Sequence, residues 1–74
     1  MMISDAGWVS TSDRLPEQGV DVLLCVVDRE MIVVGSLEQA APGELYWESD
    51  SDEVAASPLS YVSHWMPLPP LPLA

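Results

Sequence analysis

The chain has 74 residues, which is enough for one small domain and no more. Twelve acidic residues stand against two arginines and no lysine, so the formal net charge is −10 at pH 7. This balance argues against direct contact with nucleic-acid phosphates or an anionic membrane, since both are bound through basic side chains. It favours a basic protein partner, although acidic residues also serve simply to keep a small apolar domain soluble.

The rest of the composition indicates a folded protein of a reducing compartment. Hydrophobic residues make up 49% of the chain and include three tryptophans, whereas disordered chains of high charge are poor in such residues. The single cysteine, Cys25, excludes an intrachain disulfide framework. Residues 1–5 have no cationic start, so we expect no signal peptide, and the apolar run at residues 22–27 is too short to span a bilayer. We therefore expect a soluble, cytoplasmic protein.

The first strands are predicted on either side of a loop. Residues 1–7 are expected to form a loose lead-in, and Trp8-Val9-Ser10 carries the first β-type signal. A loop over residues 11–19 follows, in which Pro16 and Gly19 suit a turn. Residues 20–27 place apolar side chains on both sides of an extended chain, interrupted only by Asp21. This pattern predicts a central strand with both faces covered.

Two further strands are expected to continue as a meander. A polar break at residues 28–30 has the length of a hairpin turn. Residues 31–37 form the predicted return strand, in which Gly35 marks a bulge or a close contact with a tryptophan. A turn signal at residues 40–43 precedes a third strand at residues 44–48. Connections this short favour antiparallel neighbours.

The C-terminal part is predicted to contain a loop, a last strand and a tail. Residues 49–57 are typical of an exposed acidic loop, and residues 61–66 alternate as a strand. Pro67 is expected to end strand pairing because it has no N–H to donate, and residues 67–74 form a proline-rich tail near polyproline II. We therefore expect residues 1–74 to form a single, mainly β domain: a small antiparallel meander of four to five strands with a proline-rich C-terminal tail.

The side chains that could carry chemistry favour structural roles. His64 is the only histidine, so a metal site would lack convergent ligands. We expect His64 to hold a hydrogen bond to the backbone or to a carboxylate, with Asp13 or Glu17 as candidates. Cys25 lies in a predicted core strand, where a thiol is usually inert, and Arg14 is expected to form an internal salt bridge or to stack on a tryptophan. No oxyanion-hole motif is present, so we predict no enzyme, no cofactor and no metal.

The acidic loop has two interpretations. Asp50-Ser51-Asp52-Glu53 begins like a calcium loop, but Ala55 and Tyr61 stand where such loops need glycine and glutamate. The loop is therefore either merely solvated or a recognition patch that offers carboxylates to an arginine-rich partner. The candidate partner-binding residues are Glu48, Asp50, Asp52 and Glu53.

Four segments carry a resemblance to a known family. In chain order they are Trp8-Val9-Ser10, Asp13-Arg14-Leu15-Pro16-Glu17, Gly19-Val20-Asp21-Val22-Leu23 and Val62-Ser63-His64-Trp65-Met66-Pro67-Leu68-Pro69. Their order and spacing over residues 8–70 resemble the small phage and prophage family of domain of unknown function 551, whose members run from a WISV…RLP opening to an HWMPLP close. The signature positions in this chain are Trp8, Arg14, Leu15, Pro16, His64, Trp65, Pro67 and Pro69. The resemblance implies a phage or prophage accessory protein in the cytoplasm of a bacterial host, and it implies no catalytic residues.

Three functions are consistent with these observations. The first is a viral accessory protein that binds and inhibits a host protein, as anti-defence or host-takeover inhibitors do, by occupying a basic surface that normally holds nucleic acid. The second is a structural or assembly module that acts as a homo-oligomer through an edge strand or the proline tail. The third is a domain that sequesters a small molecule or nucleotide, for which Arg14 and Arg29 would have to contact the phosphates.

Overall fold

The computed structural model describes residues 7–72, which form one five-stranded antiparallel sheet. The strands are β1 (Val9–Ser10), β2 (Val22–Val26), β3 (Met31–Ala41), β4 (Glu44–Ser49) and β5 (His64–Pro67). Single 3₁₀ turns lie at Val27–Arg29 and Leu59–Tyr61. The predicted mainly β fold class is confirmed. Residues 1–6 of the predicted lead-in and residues 73–74 of the predicted tail lie outside the described residues.

Strand order in the sheet is β1-β5-β2-β3-β4, so β2 is the central strand, as predicted. Strands β2, β3 and β4 are consecutive antiparallel neighbours and form the expected meander. The last strand departs from the meander, because β5 returns to the free side of β2 and also pairs with β1. The long connection at residues 50–63 gives the chain enough length to cross the sheet and make this return.

Several predicted strand boundaries shift in the structure. Strand β2 is shorter than predicted and leaves Val20 exposed outside it, whereas β3 continues to Ala41. A two-residue turn joins β3 to β4, with Gly43 at φ +81° directly after Pro42, as a type II turn requires. Strand β5 begins at His64 and keeps Pro67 as its last residue. Pro67 is paired with Val22 and is therefore part of β5, whereas the sequence predicted that the strand ends before this proline.

Gly35 makes a close approach, but its neighbours are not tryptophans. A Cβ atom at this position would lie 2.6 Å from Leu24 Cδ1 and would also meet the carbonyl oxygen of Glu48. Gly35 pairs with Val22 on one side and with Ser49 on the other. The glycine therefore allows three strands to pack closely around one point of the sheet.

The core lies on one side of the sheet, which we call the core face. Trp47 is fully buried there, and its backbone exchanges two hydrogen bonds with Ser57 (2.9 and 3.2 Å), while its indole N–H donates to the carbonyl of Leu59 at 3.2 Å. These bonds hold residues 50–62 against the sheet. The buried hydrophobic residues are Val22, Leu24, Val26, Leu37, Trp47, Val54, Val62 and Trp65.

The loop of residues 11–19 covers the other part of the core face. The indole N–H of Trp65 donates to the carbonyl of Arg14 at 3.0 Å, and the Thr11 hydroxyl donates to the carbonyl of Val62 at 2.8 Å. Gly19 donates its N–H to Leu37, which places the end of the loop along β3. Two loops, rather than a second sheet or a helix, thus form the layer that buries the core face in the described part of the chain.

The packing of the acidic loop can be tested with a matched pair of valines. Val54 is fully buried, whereas Val27 is 55% exposed. We expect Val54→Ala to lower the free energy of unfolding by about 2 kcal/mol, through lost apolar burial and the cavity left behind. Val27→Ala should change it by less than about 0.5 kcal/mol. Urea unfolding followed by circular dichroism measures both, and equal effects would contradict the described packing.

Candidate protein-binding face

The second side of the sheet, which we call the open face, carries apolar side chains in two rows. Cys25 lies opposite Ile32 on β3 and His64 on β5, and cross-strand partners point to the same side. The next row, two residues along each strand, is centred on Leu23. The two rows together consist of His64, Cys25, Ile32, Met66, Leu23 and Val34.

The open face is accessible despite its composition. Ile32 is 58% exposed and Val34 48% exposed, and the other four side chains of the two rows are half-buried. Within residues 7–72, the cover expected over the second face of β2 is not found, because both covering loops lie on the core face. An antiparallel sheet with one solvated face usually carries polar side chains there. A contiguous apolar patch in that place is typical of an interaction site.

A shallow concavity of about 280 Å³ lies at the end of the open face nearest the β2–β3 hairpin and is lined by Trp8, Cys25, Val27 and His64. Its geometry depends on Ser63, whose hydroxyl donates to the carbonyl of Cys25 at 2.9 Å and accepts from the N–H of Val27 at 3.1 Å. The same oxygen lies 2.9 Å from Nδ1 of His64.

His64 therefore has a structural partner, but not one of the carboxylates that were candidates. Within residues 7–72, neither Asp13 nor Glu17 is hydrogen-bonded to the ring, and Ser63 takes that place. The reason is the direction of the side chain: His64 points to the open face, whereas Trp65 beside it points to the core face, where the loop of residues 11–19 lies.

A second concavity, of about 290 Å³, lies at the opposite end of the open face, near the start of β2. Three exposed carboxylates, Asp21, Glu48 and Asp50, line it, and we call this group the acidic end. Ser36 at its base is buried, and its hydroxyl donates to Glu38 at 2.6 Å. The open face thus combines an apolar centre with negative charge at one end.

The structure divides the four acidic residues predicted from the sequence. Glu48 and Asp50 come together at the acidic end, whereas Glu53 lies 3.5 Å from Arg29 and accepts a 3.3 Å hydrogen bond from Tyr61. Asp52 is exposed in the turn between them.

Asp21 is a member of the acidic end that the sequence prediction missed. Its signal was its position as the one charged residue inside an apolar run. The sequence pattern presents Asp21 as an interruption of the strand. In the structure, Asp21 directly precedes β2 and lies where the open face becomes acidic.

Most of the signature residues lie on the core face, where they hold the loop of residues 11–19 against the sheet. The guanidinium of Arg14 lies 5.8 Å from the centroid of the Trp65 ring, which confirms the predicted stacking on a tryptophan. Leu15 is half-buried against the core and Pro16 is buried. Pro69 is exposed beyond β5.

Other kinds of site find no support in residues 7–72. No group of three or more histidine, cysteine or acidic side chains there is placed to hold a metal ion. The same residues contain no helix with the length and apolar character needed to cross a membrane.

Comparison with known proteins places this arrangement in a family. The family model described as protein of unknown function (DUF551) matches residues 7–73. The chain belongs to the DUF551 family. No curated protein and no solved structure matches it.

The role of Ser63 in shaping the open face gives a direct test. Ser63→Ala removes hydrogen bonds to Cys25, Val27 and His64, and we expect it to lower the free energy of unfolding by about 1 kcal/mol. The control is Ser60→Ala, at an exposed serine, which should change stability by less than about 0.5 kcal/mol. Chemical denaturation of both variants checks this, and an unchanged stability of Ser63→Ala would contradict it.

Proposed function

We propose that this member of DUF551 is a small accessory protein of phages and prophages that acts by binding a host protein with a basic surface. The observation that carries the proposal is the open face, where Ile32 and Val34 are exposed next to three clustered carboxylates. Apolar contact area supplies affinity, and clustered charge selects and orients an oppositely charged partner. Occupation of a surface that normally holds nucleic acid would make the protein an inhibitor.

A catalytic function has one observation in its favour, which is that Cys25 and His64 are cross-strand neighbours on the open face. Covalent catalysis by a thiol also needs donors aimed at the oxyanion that forms. The backbone around Cys25 and His64 is committed to the sheet, and the Ser63 N–H donates to Cys25 at 2.9 Å. Binding without catalysis therefore accounts better for the site.

The positions of the two arginines argue against the nucleotide-sequestering alternative. Arg14 lies over Trp65 on the core face, and Arg29 is paired with Glu53. Within residues 7–72, neither arginine lines either concavity of the open face, and the concavity at the acidic end is lined by three carboxylates. A phosphate would meet repulsion there rather than a cradle.

The proposal predicts that the location of the acidic charges matters more than their number. The variant Asp21→Asn/Glu48→Gln/Asp50→Asn and the control Asp13→Asn/Glu17→Gln/Glu44→Gln each change the net charge from −10 to −7. Both should fold, because all six side chains are exposed. We expect the first variant to bind a host partner at least about tenfold more weakly at low salt, and the control to bind nearly as wild type does.

The measurement is quantitative affinity capture from a lysate of the native bacterial host, followed by titration of the purified partner at two salt concentrations. The affinity of the wild type should fall as salt rises. Capture of no specific protein, or equal binding by the two variants, would contradict the proposal.

A further inference from the structure

We infer that the occupant of the open face is a single amphipathic α-helix of the partner, with its basic side chains over the acidic end. The inference rests on the proposed function and specifies the partner's chemistry. It starts from an apolar patch of defined size on fully paired strands, with three clustered carboxylates at one end.

The backbone environment favours a helix over an extended segment. In the apolar centre, Leu23 and Cys25 lie on a strand that is paired on both sides, with β3 and with β5. The central strands therefore offer no free N–H or C=O groups to a peptide lying across them. An extended peptide there would leave its own backbone groups unpaired in an apolar contact, whereas a helix satisfies them internally.

The size of the patch also favours one helix. Its two rows span β5, β2 and β3, which is about 10 Å between the outer strand axes and about 7 Å between rows. Side chains extend the patch beyond these backbone distances. The extended patch accommodates one helix that is about 10 Å wide and three turns, or about 16 Å, long.

The charge distribution argues against a second copy of this chain as the occupant. Each copy carries a net charge of −10, so face-to-face pairing brings two strongly acidic chains together. Asp21, Glu48 and Asp50 make one end of the face negative, while Ile32 and Val34 leave the centre apolar. A helix with an apolar stripe and lysine or arginine at one end complements both features.

The first test uses peptides as probes and Cys25, the only thiol of the chain, as reporter. The probe is a 14-residue Leu/Lys peptide with leucine at helical i, i+3, i+4 spacing; a scrambled peptide of equal composition and a Leu/Glu analogue are controls. At a concentration about ten times its Kd, the Leu/Lys helix should slow alkylation of Cys25 by N-ethylmaleimide about tenfold, because only free protein reacts. Neither control peptide should slow it.

The second test changes the face itself while keeping β-branched side chains in β3. Ile32→Thr/Val34→Thr should weaken binding of the Leu/Lys helix about tenfold by removing exposed apolar contact area. The control Val20→Thr/Leu71→Thr changes two apolar residues that are also exposed, 44% and 88%, but lie outside the open face, and it should bind as wild type does. Matching urea midpoints for the two variants establish that both are folded.

Three results would overturn the inference. The first is equal peptide binding by the two threonine variants. The second is a dimer in sedimentation equilibrium that protects Cys25 without peptide, which would make a second copy the occupant. The third is faster alkylation of Cys25 in Ile3→Ser, which would make residues 1–6 of the chain the occupant; these residues precede Gly7, whose position beside Met66 borders the face.

The purified host partner separates this inference from the proposed function. If neutralising the acidic end abolishes partner binding while Ile32→Thr/Val34→Thr leaves it intact, the proposed function stands and the helix on the apolar rows is wrong. If neither variant changes binding, the proposed function itself fails. Loss of binding in both variants supports the helix.

Discussion

The main constraint on this fold is that its sheet is apolar on both sides, whereas the described residues bury only one side. Trp47 decides which side that is, because its backbone and indole fix residues 57–59 beneath the sheet and bring Val54 into the core. The loop of residues 11–19 adds to the same layer through Arg14 and Trp65. The open face is thus the surface that a partner can cover.

The family signature and the proposed binding surface lie largely on opposite sides of the sheet. The Arg-Leu-Pro segment and Trp65 meet on the core face, where guanidinium stacking and an indole hydrogen bond close the loop over the core. His64 and Trp8 are the signature residues that reach the open face. Most of the signature residues of DUF551 therefore serve to hold the loop of residues 11–19 over the hydrophobic core. The proposed binding surface is centred on Ile32 and Val34, which lie outside all four segments that carry the family resemblance.

Much of the fold could be predicted from the sequence, and the failures share one cause. Alternation placed Val22, Leu24 and Val26 on one side of β2 and Leu23 and Cys25 on the other, as the structure has them. Alternation shows that a side chain is apolar, however, and not whether another element covers it, so it predicts a buried face where the structure has the open face. The return of β5 to β2 and the meeting of Asp21 with Glu48 are long-range pairings, which no local pattern encodes.

The most direct test of the central claim is methyl cross-saturation NMR on the labelled protein in complex with its purified host partner. Irradiation of the unlabelled partner attenuates the signals of methyl groups that lie at the interface. The account predicts attenuation at Leu23, Ile32 and Val34, and none at the buried methyls of Val54 and Val62 on the core face. Attenuation confined to the turn of residues 52–56, with the methyls of the open face unaffected, would contradict it.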